Sequence, residues 1–301
     1  MNWGKIKTII IVIIIFMNVF FIYNIHRQNR NIYYIDSKTI NTACELLAKD
    51  NINITPETIP DKKLSVSILE SVFDPAYYDI VVSKISGTEN YSRRIINNGI
   101  EFNIAKNNDI YIFSETDILY MKYISNGFDG DVEKVYTEIN PNRLTGHIKT
   151  VKNYLLWKKD NQSSTAEFDL VINKGYHDSA SDTYYIYFTQ MIDSYLIHEC
   201  EFIAVIRDNT VLYLEGQLVN NEISKSHQTT LIDQINILFK ERADIVANGD
   251  EFEMLHISSL SPEYYINWNQ ERDIMFLIPA WKIVYENGDI VMRDAVNGNV
   301  Y

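Results

Sequence analysis

The densest group of side chains able to do chemistry in this 301-residue chain is His198-Glu199-Cys200-Glu201. An imidazole, a thiol and two carboxylates so close together could hold a metal or pair a nucleophile with a base, provided they converge. Read as a strand, they diverge. Successive side chains point to opposite faces, so His198 and Cys200 share one face and the two glutamates the other. The remaining histidines, at 26, 147, 177, 227 and 256, are scattered, and the sequence has no HExxH or CxxC spacing. Asp129-Gly130-Asp131-Val132-Glu133 carries calcium-like carboxylates without the EF-hand spacing and reads as a solvated loop. The sequence also lacks a Walker motif and a GxSxG nucleophile elbow. No enzyme activity, cofactor or metal is therefore expected. Cys44 and Cys200 lie far apart and read as unpaired core residues rather than a disulfide.

The most constrained element is physical rather than chemical. Thr8 to Ile25 form an apolar run, TIIIVIIIFMNVFFIYNI. At ~1.5 Å per helical residue it spans roughly 27 Å, close to the ~30 Å hydrocarbon core of a bilayer. Trp3 and Tyr23 suit aromatic anchors at the two interfaces. A cleavable signal peptide would need a small-x-small site after the run. Ile22-Tyr23-Asn24-Ile25-His26-Arg27 is bulky instead, which favours an uncleaved single-pass anchor in the lipid bilayer. Lys5 and Lys7 on one side nearly balance Arg27 and Arg30 on the other. The short tail and large remainder favour a cytoplasmic N-terminus and an extracytoplasmic C-terminal part.

Asn18 sits deep in that run, where its amide has no water to bond. Ile11, Ile14, Ile15, Phe21 and Ile22 lie on its helical face. Two readings stay open: an amide bonding across to a partner helix, which makes these six residues a transmembrane contact, or one bonding its own backbone.

Lys5 and Lys7 are the only charges among the first 25 residues, so the net −13 of the chain leaves −15 for residues 26–301. Such a domain should not seek nucleic acid, and anionic polymers should repel it. With 46% hydrophobic and 13% aromatic residues it is too apolar to be disordered. Its size favours two lobes over one.

Asp36 or Ser37 should cap a helix with Ile40, Cys44, Leu47 and Ala48 on its apolar stripe. Strands are expected over 64–69 and 78–85. Residues 99–106 and 109–114 form a hairpin around Asn107-Asn108. The loop-like stretch Ser125–Asp131 precedes the expected lobe boundary, giving a tail and anchor over 1–30, an α+β lobe over 31–140 and a second over 141–301. The second lobe should hold a helix over 143–158 and strands over 166–173, 182–192, 199–207 and 210–219. A helix over 229–243 and strands over 251–257, 274–285 and 289–295 complete it. Asn287-Gly288 predicts a two-residue type I′ hairpin turn, and Pro279 suits a strand edge or entry. The segment from Glu101 resembles that from Glu201. Either the two lobes are related, or any two hairpins look this way.

Both ends of the chain resemble one family. The start, Met1-Asn2-Trp3-Gly4-Lys5-Ile6-Lys7-Thr8-Ile9 and an apolar run with a central Asn before Phe20-Phe21, is similar to the anchor of YycI (WalI) regulatory proteins. The close, Ile278-Pro279-Ala280-Trp281-Lys282-Ile283, a hairpin, then Asp294-Ala295-Val296-Asn297-Gly298-Asn299-Val300, resembles that family's ending, shared more loosely with PepSY-like modules. The resemblance covers both termini and most of 147–301 and is thin over 50–140. It implies a single transmembrane helix followed by two tandem α+β lobes with antiparallel sheets, PepSY-like or YycI-like. It also implies a non-enzymatic regulator that, with a YycH-type partner, modulates a WalK (YycG)-type sensor histidine kinase controlling cell-wall metabolism. Pro279, Ala280, Trp281, Lys282, Asp294, Ala295 and Gly298 are then its structural motif. The alternative reading is an anchored envelope enzyme, or a PepSY-like inhibitor or binding module.

Overall fold

The computed structural model describes residues 7, 13–22, 24, 34–72, 82–83, 91–96, 99–104, 109–113, 120–125, 127–130, 132, 136–155, 168–219, 223–227, 231–247, 254–269 and 274–301. In chain order its main elements begin with α1 (Ser37–Ala48), β1 (Ile52–Asn53), β2 (Ile68–Val72), β3 (Ser92–Ile96), β4 (Gly99–Ile104), β5 (Asp109–Phe113) and β6 (Tyr120–Ile124). Next come β7 (Thr137–Ile139), α2 (Thr145–Leu155), β8 (Phe168–Asp178), β9 (Thr183–Ile192), β10 (Tyr195–Arg207), β11 (Thr210–Gln217) and β12 (Ile223–His227). The chain closes with α3 (Gln234–Ala247), β13 (Leu255–Asn269), β14 (Ile274–Tyr285) and β15 (Ile290–Asp294). The class is α+β with a large, mostly antiparallel sheet.

The chain forms two compact units, and neither is contiguous in sequence. Unit 1 comprises Met1–Ser65, Thr230–Ser261 and Trp281–Tyr301; unit 2 comprises Val66–Thr229 and Pro262–Ala280. The expected boundary at 140/141 falls inside unit 2. The reason lies in β13 and β14, long strands that each contribute residues to both units. Tandem lobes would require each stretch of chain to pack with its sequence neighbours, and these strands do not.

In unit 1, Asp36 caps α1 by accepting from the Thr39 amide at 2.9 Å. Ile40, Ala43 and Leu47 are its buried residues, whereas Cys44 is half-buried and Ala48 exposed. The parallel pair β1–β13 matches Ile52 with Leu255. The second helix starts at Gln234, five residues later than expected, because Asp233 accepts from the Asn236 amide and fixes the cap there. Ile40, Leu47, Ile52, Ile237, Leu238, Trp281 and Ile283 pack in one core.

Unit 2 is dominated by β8–β11. In β9 the buried residues Tyr185, Ile186, Phe188, Thr189 and Gln190 fall on both faces, as in a central strand. The strands β11, β6, β5, β4 and β3 continue antiparallel from β10. The two hairpins that resemble each other, β4–β5 and β10–β11, therefore lie in one sheet of one unit rather than in separate lobes. Of the strand expected over Tyr78–Ile85 only Val82 and Ser83 are described, and they are helical. The Asn107-Asn108 turn lies outside the described residues.

Turn chemistry is redistributed. Asp208 and Asn209 have φ of 49° and 58°, and Asp193 and Ser194 have 48° and 72°. These are the two-residue turns with both φ positive, flanked by the pairs Arg207–Thr210 and Ile192–Tyr195. At Asn287-Gly288 only Gly288 is positive, at 93°, and its amide donates to Tyr285 O at 3.0 Å. That is a three-residue turn ending in a glycine bulge, not the expected type I′ turn. Asn287 is instead spent on the loop, its Oδ1 accepting from the Asp289 amide.

Candidate functional site

The residues expected to meet a partner helix sit on the N-terminal helical stretch. Asn18, Ile14, Ile15, Phe21 and Ile22 are helical and exposed, while Ile11 lies outside the described residues. Exposure of the large apolar side chains there runs from 51% at Ile14 to 73% at Phe16. Almost three turns of helix thus bury none of their apolar residues well against the rest of the chain. Among the described residues no helix is long and apolar enough to cross a membrane; those of the expected span are 13–22 and 24.

The C-terminal motif residues do the opposite. Trp281 is fully buried on the same face of β14 as Ile283 and Tyr285. Its indole Nε1 donates to Ile232 O at 3.1 Å, and the Ile232 amide donates to Ala295 O at 2.6 Å. Trp281 and Ala295 thus hold Ile232, two residues before α3, by its carbonyl and its amide. Asp294 folds the following loop, its Oδ1 accepting from the Val296 amide and its Oδ2 from Asn297 Nδ2. Gly298 has φ of 76°, and a Cβ there would strike the Lys240 side chain, whose Nζ donates to Asn297 O at 2.8 Å. Ala280 is buried and Lys282 is half-buried on the opposite face of the strand. Pro279 lies inside β14 rather than at its entry, beyond the last residue that pairs with β2, Leu277. Its missing N–H is therefore not needed by that ladder.

A cluster that sequence reasoning missed ties this frame to α3. Arg293, 2% exposed, donates to Glu241 Oε2 at 2.5 Å, to Asp244 Oδ2 at 2.6 Å and to Gly298 O at 2.9 Å. Tyr285 donates to the other Glu241 oxygen at 2.6 Å. Burial and then the Glu241 carboxylate push the Tyr285 hydroxyl above its ordinary range. The signal was present: Glu241 falls on the buried stripe of α3, three residues after Leu238, where a charge needs a partner.

In unit 2 a second carboxylate is wrapped in the same way. Glu215 accepts from the hydroxyls of Tyr120 and Tyr213 and from Lys122 Nζ at 3.0 Å. Burial raises the Glu215 carboxyl, but these three donors outweigh burial and hold it below its ordinary value. No sequence pattern announces this group, because β6 and β11 pair across some ninety residues, placing Lys122 opposite Glu215.

The His198–Glu201 stretch departs from simple alternation. The β9–β10 register jumps between Leu196 and Glu201, and Glu199 adopts φ of 64°. A bulge with a left-handed residue resets which face each side chain takes. His198 Nδ1 lies 3.1 Å from Glu263 Oε2 of β13, and Cys200 is buried in a core cluster. Neither cysteine forms a disulfide. Among the described residues no group of three His, Cys, Asp or Glu is arranged to hold a metal. Unit 1 has an open cleft of about 440 Å³ beside Tyr34, Asp36, Lys63 and Asp233. Both of its aspartates are engaged as helix caps.

No family model matches the chain, and no curated protein matches it. Among solved structures it is similar to an uncharacterized protein from Eubacterium rectale ATCC 33656, at 12% identity over 83% of this chain and 88% of that one. The TM-score is 0.48, a likeness that carries no argument about function.

Proposed function

We propose that the chain is a non-enzymatic, membrane-anchored accessory regulator of YycI type that modulates a WalK (YycG)-type sensor histidine kinase together with a YycH-type protein. The observation that carries this reading is the exposure of every large apolar side chain described over Ile13–Ile22. Leaving one such side chain in water forgoes about 1.5–3 kcal/mol, so the stretch calls for apolar surroundings, which a bilayer supplies. Within a bilayer it is the Asn18 amide, rather than the apolar side chains, that favours a second helix. The resemblance at both ends supplies the identity of that helix. Thr8–Ile25 then spans the membrane with the N-terminus cytoplasmic, and the acidic folded part lies outside. A kinase with two helix arrangements a few kcal/mol apart is biased by a neighbour that packs better against one of them.

The test is chemical crosslinking of the intact full-length chain in its own membrane, followed by purification and identification of what is attached. A WalK-type kinase and a YycH-type protein are expected. Capture of neither, with efficient capture of an envelope enzyme or its substrate, would replace this reading by the anchored enzyme or inhibitor.

A further inference from the structure

Helix α2 is fastened to the unit 2 sheet beside a half-buried histidine. The His147 ring lies 4.7 Å from the ring of Tyr184 on β9, and His177 of β8 stacks on the same tyrosine at 4.5 Å. His147 Nδ1 is closed off from solvent and has no hydrogen-bond partner among the described residues. Around it the helix is held by Leu144, buried where Gly175 has no Cβ to obstruct it, by Val151 in the core, and by Thr150 Oγ1 donating to Asn209 Oδ1 at 2.6 Å.

We propose that His147 is an acid-sensitive latch that keeps α2 docked while neutral and releases it when protonated. A neutral imidazole can leave Nδ1 as an unused lone pair and carry its proton on Nε2. The acid form must place an N–H on Nδ1, a buried donor for which the described residues offer no acceptor. Several charged groups on the elements packed against α2 have contacts of their own. Asp169 of β8 takes Lys152 of the helix itself, and His177 takes Asp182 of the β8–β9 turn. Asp178 accepts from Ala180 and Ser181, and Glu215 of β11 is held by Tyr120, Tyr213 and Lys122. Arg207 of β10 donates to Thr183 and Asp129. Lys149 of the helix and Arg143 just before it are exposed cations, which can only oppose a further positive charge. Burial independently lowers the affinity of His147 for a proton below the ordinary value of 6.5. A group whose folded value is depressed in this way leaves stability whole above about 6.5 and removes it as the pH falls, because the undocked form binds the proton more tightly. The inference concerns unit 2 alone and holds whether or not the chain regulates a kinase.

Amide hydrogen exchange of the detergent-solubilised full chain, corrected for intrinsic rates, tests it at pH 7.5 and 5.5. Protection over residues 145–155 should fall up to about tenfold at the lower pH, while α1 in unit 1 keeps its protection. His147→Phe, which retains a ring against Tyr184, should abolish the change, and His147→Gln serves if that variant does not fold. His177→Gln should leave the acid response in place. An unchanged parent helix, equal loss in the neutral His147 variants, or equal loss across both units would each overturn the latch.

Discussion

The two ends of the chain are built in opposite ways. Near the C-terminus, Trp281, Ala295 and Asp294 are buried and hydrogen-bonded, Trp281 and Ala295 to Ile232 just ahead of α3 and Asp294 within the closing loop. Near the N-terminus, Ile13–Ile22 are helical with their apolar side chains exposed. The C-terminal motif is a frame whose loss should unfold unit 1. The N-terminal stretch has little to lose in folding, and its chemistry is free for association.

The largest expected effect breaks the frame. Trp281→Ala should lower unfolding stability by about 3–5 kcal/mol, from a lost core aromatic and an orphaned Ile232 carbonyl, as read by chemical denaturation of the solubilised chain. If it instead melts like the parent but no longer co-purifies with a partner, Trp281 belongs to a contact surface and the contrast between the ends collapses. Arg293→Ala should cost a similar ~3–5 kcal/mol, because it strands the Glu241 carboxylate in the core. Pairing Arg293→Met with Glu241→Leu should cost clearly less than Arg293→Ala alone, since no uncompensated charge remains. A double variant as unstable as the single would mean that packing, not charge, holds the loop to α3.

A smaller effect is expected at Glu215 in unit 2. Its carboxyl is held below the ordinary 4.5 by Tyr120, Tyr213 and Lys122 despite its burial. It therefore stabilises above about 4.5, and the contribution fades as the pH falls through its lower folded value. Glu215→Gln should cost ~1–2 kcal/mol at pH 7, with the gap to the parent closing in acid. A gap that does not depend on pH would assign the loss to shape. The smallest effect is expected at the other end. Asn18→Leu should leave unfolding unchanged and weaken association in the membrane by about 1 kcal/mol, roughly fivefold. A change in melting with association intact would place Asn18 in the folding of the chain.

Much of the local architecture was legible because it rests on neighbouring residues. The helix after Asp36, the hairpins at Gly99–Phe113 and Tyr195–Gln217, and the closing β14–β15 pair all follow from caps, periodicity and turn residues. What stayed hidden depends on distant pairing. Strands β13 and β14 divide the molecule differently from any linear cut, and a bulge of several residues at Glu199 broke the alternation on which the His198 reading stood. Glu241 could have been flagged as a charge on an apolar stripe. Its partner Arg293, fifty-two residues away on β15, could not.

The central claim is that the exposed apolar stretch is the regulatory contact. It is tested by replacing Thr8–Ile25 with an unrelated spanning helix of equal length and measuring co-purification with the WalK-type kinase and the YycH-type protein, alongside output of the kinase pathway. Loss of both with units 1 and 2 still folded is the predicted result. A swapped chain that binds and regulates like the parent would contradict it, reducing the helix to a tether and moving the contact to the acidic units.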